Sequence, residues 1–218
     1  MIVSNIDKYF KEMDIDISWY KKSFIPNTQL SSKSLDDIAI SVENCVKCEL
    51  SKTRKRTVFG DGSPNSKIMI IGEAPGKEED EKGKPFIGRA GKLLDSILKS
   101  INLNRDLVYI TNTIKCRPPE NRNPINEEIQ SCAEFLDKQI KIIKPKVLVL
   151  LGKIAANNLL AIDKPMAELR QKKFFIERFD VPILVFYHPA YILRSPLKKS
   201  QVWEDLKYLK NIIKEHVS

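Results

Sequence analysis

Long apolar runs are missing from this chain of 218 residues. No stretch approaches the roughly 18 consecutive apolar residues of a membrane-spanning helix. The first residues lack the basic start and apolar core of a signal peptide. Internal repeats and low-complexity tracts are also missing. These absences argue against a repeat array and predict a globular, cytoplasmic protein without a membrane partner.

The common phosphate-binding motifs are missing too. Neither the Gly-x-Gly-x-x-Gly fingerprint nor a Gly-Lys-Ser/Thr loop is present. The apolar run "IMIIG" leads instead into Glu73, Ala74, Pro75 and Gly76. A carboxylate and a proline without an N–H group suit a phosphate badly. The sequence therefore predicts no nucleotide cofactor and a turn that binds something other than phosphate.

Histidine is scarce, since only His188 and His216 occur. His216 lies near the C-terminus and is predicted to be a surface residue. His188 follows an apolar run directly and precedes Pro189, which makes it a candidate site residue. Basic residues, by contrast, exceed acidic ones by 37 to 28, for a net charge of +9. This charge fits a nucleic-acid partner, although surplus lysine also serves solubility.

Four runs rich in apolar and β-branched residues predict strands of a sheet that is covered on both faces. They span residues 67–72, 107–113, 146–151 and 182–187, and helical patterns lie between them. This alternation predicts a three-layer α/β/α sandwich with a central, mostly parallel four-stranded sheet. Residues 1–34 are predicted to be an N-terminal extension and residues 35–218 the domain, which we expect to be monomeric.

Three unusual loops follow predicted strands. They contain "GEAPG", "TNTIKCRPPENRNP" and "YHPAYILR". Because the carboxyl ends of parallel strands meet at one edge of a sheet, all three loops are expected to open on the same site.

The four cysteines have spacings that suggest a metal centre. Cys45 and Cys48 form a Cys-x2-Cys pair, and Cys116 and Cys132 are separated by 15 residues. An intracellular location disfavours structural disulfides. Both zinc and iron–sulfur clusters accept four thiolates. From spacing alone, zinc, an iron–sulfur cluster and no metal all remain open.

Taken together, "GEAPGKEEDEKGKPFIGRAGKLL", "ITNTIKCRPPENRNP" and "HPAYILR" resemble the family 4 uracil-DNA glycosylases. These are the iron–sulfur members of the uracil-DNA glycosylase superfamily. The resemblance runs from about residue 35 to residue 212 and includes the cysteine spacing. It implies excision of uracil from DNA in base excision repair. It also implies a 4Fe–4S cluster with a structural role, on Cys45, Cys48, Cys116 and Cys132.

The resemblance implies three contacts with a base flipped out of the DNA stack. His188 is the implied donor to uracil O2, where negative charge develops. Asn112 offers a donor and an acceptor to uracil O4 and N3–H, a pattern that mismatches cytosine. Phe86 is implied to stack on the base. The simpler alternatives are a strand-end histidine, a turn asparagine and a core phenylalanine.

Three further positions are implied to face the base. Glu73 and Ala74 resemble positions that contact uracil, partly through the backbone. The best-known branch of the superfamily has an aspartate at the position of Ala74 that assists attack by water. This sequence lacks it, which leaves Glu73 to orient the water or, alternatively, to fix the loop. Glu79 resembles a position proposed to exclude the methyl group of thymine.

Contacts with DNA are predicted around these loops. Ile192 or Leu193 is expected to enter the gap left by the flipped base, unless it is a core residue. The predicted phosphate contacts are Arg89, Lys92, Arg117, Arg122, Arg194, Lys198 and Lys199.

Three other interpretations fit parts of the sequence. A relative that bonds covalently to uracil-DNA would carry a histidine in a loop after "RPP", and "RPPENRNP" has none. An inactive or altered-substrate DNA-binding module of the same fold is disfavoured by the intact His188, Asn112 and Phe86. A zinc-binding structural protein is distinguished by colour, because zinc–thiolate sites are colourless.

Overall fold

The computed structural model of the chain describes residues 34–216, in which a five-stranded sheet carries helices on both faces. The strands are β1 (Asp61–Gly62), β2 (Ile68–Gly72), β3 (Val108–Asn112), β4 (Val147–Leu151) and β5 (Ile183–Phe186). The helices are α1 (Leu35–Glu43), α2 (Leu50–Thr53), α3 (Lys77–Lys82), α4 (Arg89–Lys99), α5 (Asn126–Ile143), α6 (Lys153–Leu160), α7 (Met166–Leu169), α8 (Pro189–Arg194) and α9 (Lys199–His216). Short 3-10 helices span Arg105–Leu107, Pro119–Asn121 and Pro196–Lys198. The predicted extension, apart from Ser34, lies outside the described residues, so its boundary stays a prediction.

The sheet has the strand order β1-β3-β2-β4-β5, and β2 to β5 run parallel to one another. This arrangement confirms the predicted α/β class and brings the carboxyl ends of four strands to one edge. In the register of β2 and β3, Gly72 lies opposite Asn112. The loop after β2 and the last residue of β3 are therefore neighbours.

The number of strands was predicted wrongly. A fifth strand, β1, pairs antiparallel with β3 through Asp61 and Gly62, before the first of the four predicted strands. Two residues give no apolar pattern, and aspartate and glycine are both depleted in strands. A Cβ atom on Gly62 would lie 2.1 Å from the carbonyl oxygen of Val108, so only glycine fits this edge.

The two faces of the sheet carry separate apolar cores. Ile68 and Ile70 point to one face, where α4 and α9 pack, and Met69 and Ile71 point to the other, where α5 and α6 pack. Alternate residues of a strand face opposite sides, so a run that is apolar throughout needs helices on both. This packing confirms the predicted three layers.

Helix α1 begins directly after an N-cap at Ser34. The Ser34 hydroxyl accepts a hydrogen bond from the Asp37 N–H at 3.2 Å, and Asp37 in turn accepts from the Ser34 N–H. Ile38 and Val42 of this helix pack against Phe135 of α5. The contact brings the segment with Cys45 and Cys48 next to the helix with Cys132.

Within residues 34–216, none of the helices combines the length and the apolar character that crossing a membrane requires.

Candidate active site

A cavity of about 780 Å³ opens at the carboxyl edge of the sheet. Its walls come from the ends of β2, β3, β4 and β5, as the three unusual loops predict. The predicted site residues that line it are Glu73, Ala74, Glu79, Phe86, Asn112, Arg122, His188 and Arg194. Those that lie outside its lining are Arg89, Lys92, Arg117, Ile192, Leu193, Lys198 and Lys199.

Asn112 forms the buried polar floor of the cavity. Its side chain is 1% exposed, and its Oδ1 atom has no hydrogen-bond partner within the described chain. Buried polar atoms are rarely left unpaired, because each costs desolvation free energy. A Cβ atom on Gly72 would lie 2.4 Å from this oxygen and 2.5 Å from Cζ of Phe86. Glycine at the end of β2 therefore leaves room for both side chains, and the buried amide oxygen is an acceptor without a partner among the described residues.

Lys115 supports Asn112 from behind. Its Nζ atom is buried and donates to the Asn112 carbonyl oxygen at 2.8 Å, to Thr111 Oγ1 at 2.6 Å and to Gln139 Oε1 at 2.6 Å. Burial lowers the pKa of Lys115 to about 8. These bonds fix the end of β3 without occupying the amide of Asn112.

The neutral tautomer of His188 follows from its position at the start of α8. Its Nδ1 atom accepts a hydrogen bond from the Ala190 N–H at 3.1 Å. An accepting Nδ1 carries no proton, so the proton of the neutral ring resides on Nε2. His188 lines the cavity, and its ring centroid lies 5.6 Å from that of Phe86. The ring thus carries an N–H donor beside the aromatic wall.

The pKa of His188 is lowered to about 4, mainly because burial disfavours the charged ring and also because Arg194 is positive. The negative charge of Glu79 acts in the opposite direction. At neutral pH the imidazole is therefore uncharged. An uncharged N–H donor fits stabilisation of a developing anion without protonating it.

Glu79 and the loop before α4 form the wall that carries Phe86. Glu79 Oε1 accepts hydrogen bonds from the N–H groups of Ile87 at 2.9 Å and Gly88 at 3.0 Å. Phe86 is buried and follows Pro85 directly. The carboxylate of Glu79 therefore holds the aromatic loop as well as lining the cavity.

Glu73 brings a second carboxylate to the cavity. Its backbone oxygen accepts from Thr113 Oγ1 at 2.7 Å and from the Ile114 N–H at 3.2 Å. Within residues 34–216 its side-chain oxygens make no hydrogen bond or ion pair, and burial raises its pKa. The loop is thus fixed through the backbone of Glu73, which leaves the carboxylate available to a ligand.

Several lining residues were not predicted as site residues, and three of them carry polar or aromatic side chains just beyond strand ends. Lys153 follows β4, and Tyr187 and Tyr191 flank His188. The two tyrosine rings stack at 5.1 Å, and the Arg170 guanidinium lies 4.7 Å from the Tyr187 ring centre. In the sequence, only their positions just beyond strand ends indicate that these residues line the site.

One predicted DNA contact needs correction, and another has a partner within the protein. Ile192 is 2% exposed and packs in the core, so it is not available to enter DNA, whereas Leu193 is 40% exposed. Arg122 makes a two-bond ion pair with Glu128, at 2.6 and 2.9 Å. This ion pair helps to hold the loop at the cavity rim, and since the Arg122 side chain is 41% exposed, its phosphate contact stays a prediction.

The four cysteines converge on a second, small cavity, which all of them line. The Arg54 guanidinium donates to Cys116 Sγ at 3.1 Å. Burial raises the pKa of Cys116 and, to about 11, that of Cys132. Within residues 34–216 no three Cys, His, Asp or Glu side chains are already spaced as ligands of a single metal ion. The donor set nevertheless fits a thiolate-bound group, whose positive metal ions favour thiolates over thiols.

Comparison with known proteins adds an independent finding. The model of the uracil DNA glycosylase superfamily matches residues 59–207. These residues include β2 to β5 and every named residue that lines the larger cavity, whereas Cys45 and Cys48 of the smaller cavity precede the matched segment.

Curated relatives match most of the chain. The "Type-4 uracil-DNA glycosylase" of Archaeoglobus fulgidus is 42% identical over 181 residues, which cover 80% of this chain and 91% of that protein. Proteins of the same name from Sulfurisphaera tokodaii and Pyrobaculum aerophilum are 41% and 40% identical. The matches cover 82% and 76% of this chain and 84% and 87% of those relatives.

Proposed function

Because the chain belongs to the uracil DNA glycosylase superfamily, and within it to the type-4 family, we propose that it excises uracil from DNA. In this role it flips the uracil nucleotide out of the stack and hydrolyses its N-glycosidic bond, which leaves an abasic site for base excision repair. The observation that carries the proposal is the unpaired, buried Oδ1 of Asn112 at the floor of a cavity lined by Phe86 and His188.

Base recognition follows from the chemistry of the floor. Asn112 Oδ1 accepts from uracil N3–H, and the amide nitrogen donates to O4. Cytosine presents an amine and an unprotonated N3 instead, so it leaves this pair mismatched. Phe86 stacks on the base, which aromatic rings favour by about 1–3 kcal/mol. Glu79, held by Ile87 and Gly88, crowds the C5 edge and excludes the methyl group of thymine.

Bond cleavage needs stabilisation of both products. The N1–C1′ bond breaks with its electron pair on uracil, and the neutral His188 ring donates from Nε2 to O2, where the charge accumulates. Water adds to C1′ of the cationic sugar, and its proton passes to the Glu73 carboxylate and then to solvent. Glu73 also offsets the sugar charge. Ala74 supplies no carboxylate of its own, so Glu73 carries both tasks.

Contacts with DNA surround the cavity mouth. Arg122 and Arg194 line the cavity as partners for phosphate oxygens. Arg89, Lys92 and Lys199 are exposed, and the first two flank the lining residue Ala90 in sequence. Arg117 and Lys198, which are partly buried, complete the proposed set. We propose that the protein binds uracil-containing DNA as a monomer.

Leu193→Ala tests the apolar wedge. We expect uracil release from duplex DNA to fall about tenfold, because the wedge fills the gap left by the flipped base. Release from single-stranded DNA, which has no stack to hold open, should change much less. Ile192→Ala is the matched control. It should lower the melting temperature instead, as a core truncation does. Equal losses on both substrates for Leu193→Ala would contradict the wedge.

We further propose that Cys45, Cys48, Cys116 and Cys132 bind a 4Fe–4S cluster. Their convergence on one small cavity, with Arg54 donating to Cys116, supports a thiolate-bound group of net negative charge. These cysteines lie in the segment between α1 and α2, in the loop after β3 and in α5, so a bound cluster would supply structural stability to these parts rather than catalysis. Ala74 of the loop after β2 packs in the same apolar cluster as Cys48, Cys116 and Cys132. Loss of the iron–sulfur cluster should therefore loosen this loop.

Cys45→Ser should lower the iron and acid-labile sulfide content and the melting temperature. A hydroxyl is a poorer iron ligand than a thiolate, so cluster binding weakens. Val46→Ser is the matched control, because Val46 is the adjacent residue and is 80% exposed. Stoichiometric zinc in place of iron in the wild-type protein would overturn the cluster assignment.

The function itself is tested with oligonucleotides that contain a single uracil, cytosine, thymine or hypoxanthine. We expect free uracil and an alkali-labile abasic site from the uracil strand alone. A folded, iron-containing protein that releases no uracil would favour the inactive or altered-substrate module.

A further inference from the structure

The aromatic wall of the cavity depends on an unusual backbone conformation. Phe86 has a φ angle of +52°, in the left-handed region that bulky side chains rarely adopt. Such a conformation persists only where surrounding groups impose it. Phe86 therefore needs partners that hold its peptide groups.

Arg105 contacts this backbone directly. The residue belongs to the 3-10 helix Arg105–Leu107, outside the three loops that the sequence singles out. Its Nη1 donates to the Pro85 carbonyl oxygen at 3.1 Å, and its Nη2 donates to the Phe86 carbonyl oxygen. A guanidinium is a rigid, planar fork of donors, so it fixes two successive carbonyl groups at once.

Two carboxylates fix the guanidinium in turn. Its Nε donates to Asp95 Oδ1 at 2.8 Å, and Nη1 lies 3.6 Å from Asp61 Oδ2. Asp95 belongs to α4 and Asp61 to the edge strand β1. The side chain is thus anchored on two elements and directed at the loop.

The rest of the loop is held from its other side. Glu79 Oε1 accepts from the N–H groups of Ile87 and Gly88. A Cβ atom on Gly91 would lie 1.7 Å from the Phe86 carbonyl oxygen, so α4 approaches this oxygen closely. The peptide group between Phe86 and Ile87 is therefore fixed at its oxygen by Arg105 and at its N–H by Glu79.

We propose that Arg105 is a positioning residue for recognition of the flipped base. It acts through Phe86. The Arg105 guanidinium holds the left-handed backbone of Phe86, and this backbone positions the phenyl ring beside His188 and the floor residue Asn112. The proposal rests on the proposed function, since it assigns the stacking of a base to Phe86.

The test is a double-mutant cycle with Arg105→Met and Phe86→Ala, measured as kcat and KM for uracil release. Arg105→Met should lower kcat/KM between about 5-fold and 100-fold, the range that stacking on a base accounts for. If Arg105 acts through Phe86, the double variant loses little beyond Phe86→Ala alone. Independent, multiplied losses would overturn the proposal, as would full activity of Arg105→Met.

Two further variants separate positioning from stability. Arg105→Lys keeps a positive charge for Asp61 and Asp95 but cannot reach two carbonyl groups with one fork. It should fold with an unchanged melting temperature and still lose at least about fivefold in kcat/KM. Arg178→Gln removes another arginine–aspartate contact, with Asp137 at 3.3 Å, and should leave uracil release unchanged.

The outcomes distinguish the two proposals. Absence of uracil release from the wild-type protein and from Arg178→Gln would overturn the proposed function. Normal release by the wild-type protein and by Arg105→Lys would overturn the role of Arg105 alone.

Discussion

Replacing His188 with alanine is expected to lower the single-turnover rate of uracil release by about 10²-fold to 10³-fold. Removal of one preorganised donor from an oxyanion site typically has this effect. The neutral ring donates from Nε2, because Nδ1 is engaged with the Ala190 N–H. The loss should therefore appear in the rate of bond cleavage rather than in DNA binding.

The controls for this prediction use the local structure. His188→Asn retains a side-chain acceptor for the start of α8 but does not reach as far as the imidazole. It should keep the melting temperature near that of the wild-type protein and still lose activity. His216→Ala, which changes the other histidine, should leave the rate unchanged. A normal rate for both His188 variants would show that the site is assigned wrongly.

The lowered pKa of His188 adds a dependence on pH. The folded pKa is about 4, below the unfolded value of 6.5, so folding favours the neutral ring. This contribution to stability is complete above pH 6.5 and is lost as the pH falls towards 4. We expect the free energy of unfolding, measured between pH 6.5 and pH 4, to fall more steeply for the wild-type protein than for His188→Asn.

Asn112→Asp is expected to lower uracil release by about 10-fold to 100-fold and to raise the ratio of cytosine to uracil release. Burial favours a protonated aspartic acid, which pairs with the cytosine amine and N3. An O–H group directed at cytosine N3 opposes the N3–H of uracil, and an ionised aspartate has acceptors only, so uracil O4 loses its donor. Cleavage of matched uracil and cytosine oligonucleotides measures both rates.

Asn112→Ala is the control for specificity. It removes the amide and adds no other hydrogen-bonding group, so uracil release should fall and cytosine release should stay at background. An unchanged cytosine-to-uracil ratio in Asn112→Asp would contradict the assignment of base reading to Asn112. Iron content should remain normal in both variants, because Asn112 is not among the proposed ligands.

The parallel strands were predictable because their residues are apolar on both faces, which only a sheet between two helical layers requires. The location of the site followed from this, since strand ends and their loops converge on one edge. Strand β1 was not predictable: an Asp-Gly pair carries no apolar pattern, and its pairing depends on how closely Gly62 approaches Val108.

The details of the site depend on contacts that leave no pattern in the sequence. Ile192 and Leu193 are adjacent, and which one is exposed depends on the phase of the short helix α8. Arg105 donates to backbone oxygens 19 and 20 residues away. Since every residue has a carbonyl group, no residue type in the sequence marks these acceptors. The ion pair between Arg122 and Glu128 likewise depends on how the loop before α5 folds.

The central claim is that Asn112 Oδ1 accepts the imino proton of uracil, and competition by free bases tests it most directly. Free uracil, 1-methyluracil and 3-methyluracil are compared as inhibitors of release from a uracil oligonucleotide. The first two keep N3–H, and the third replaces this hydrogen with a methyl group. We predict that 3-methyluracil inhibits at least about tenfold more weakly than the other two, and that Asn112→Ala removes the difference. Equal inhibition by 1-methyluracil and 3-methyluracil of the wild-type protein would contradict the claim.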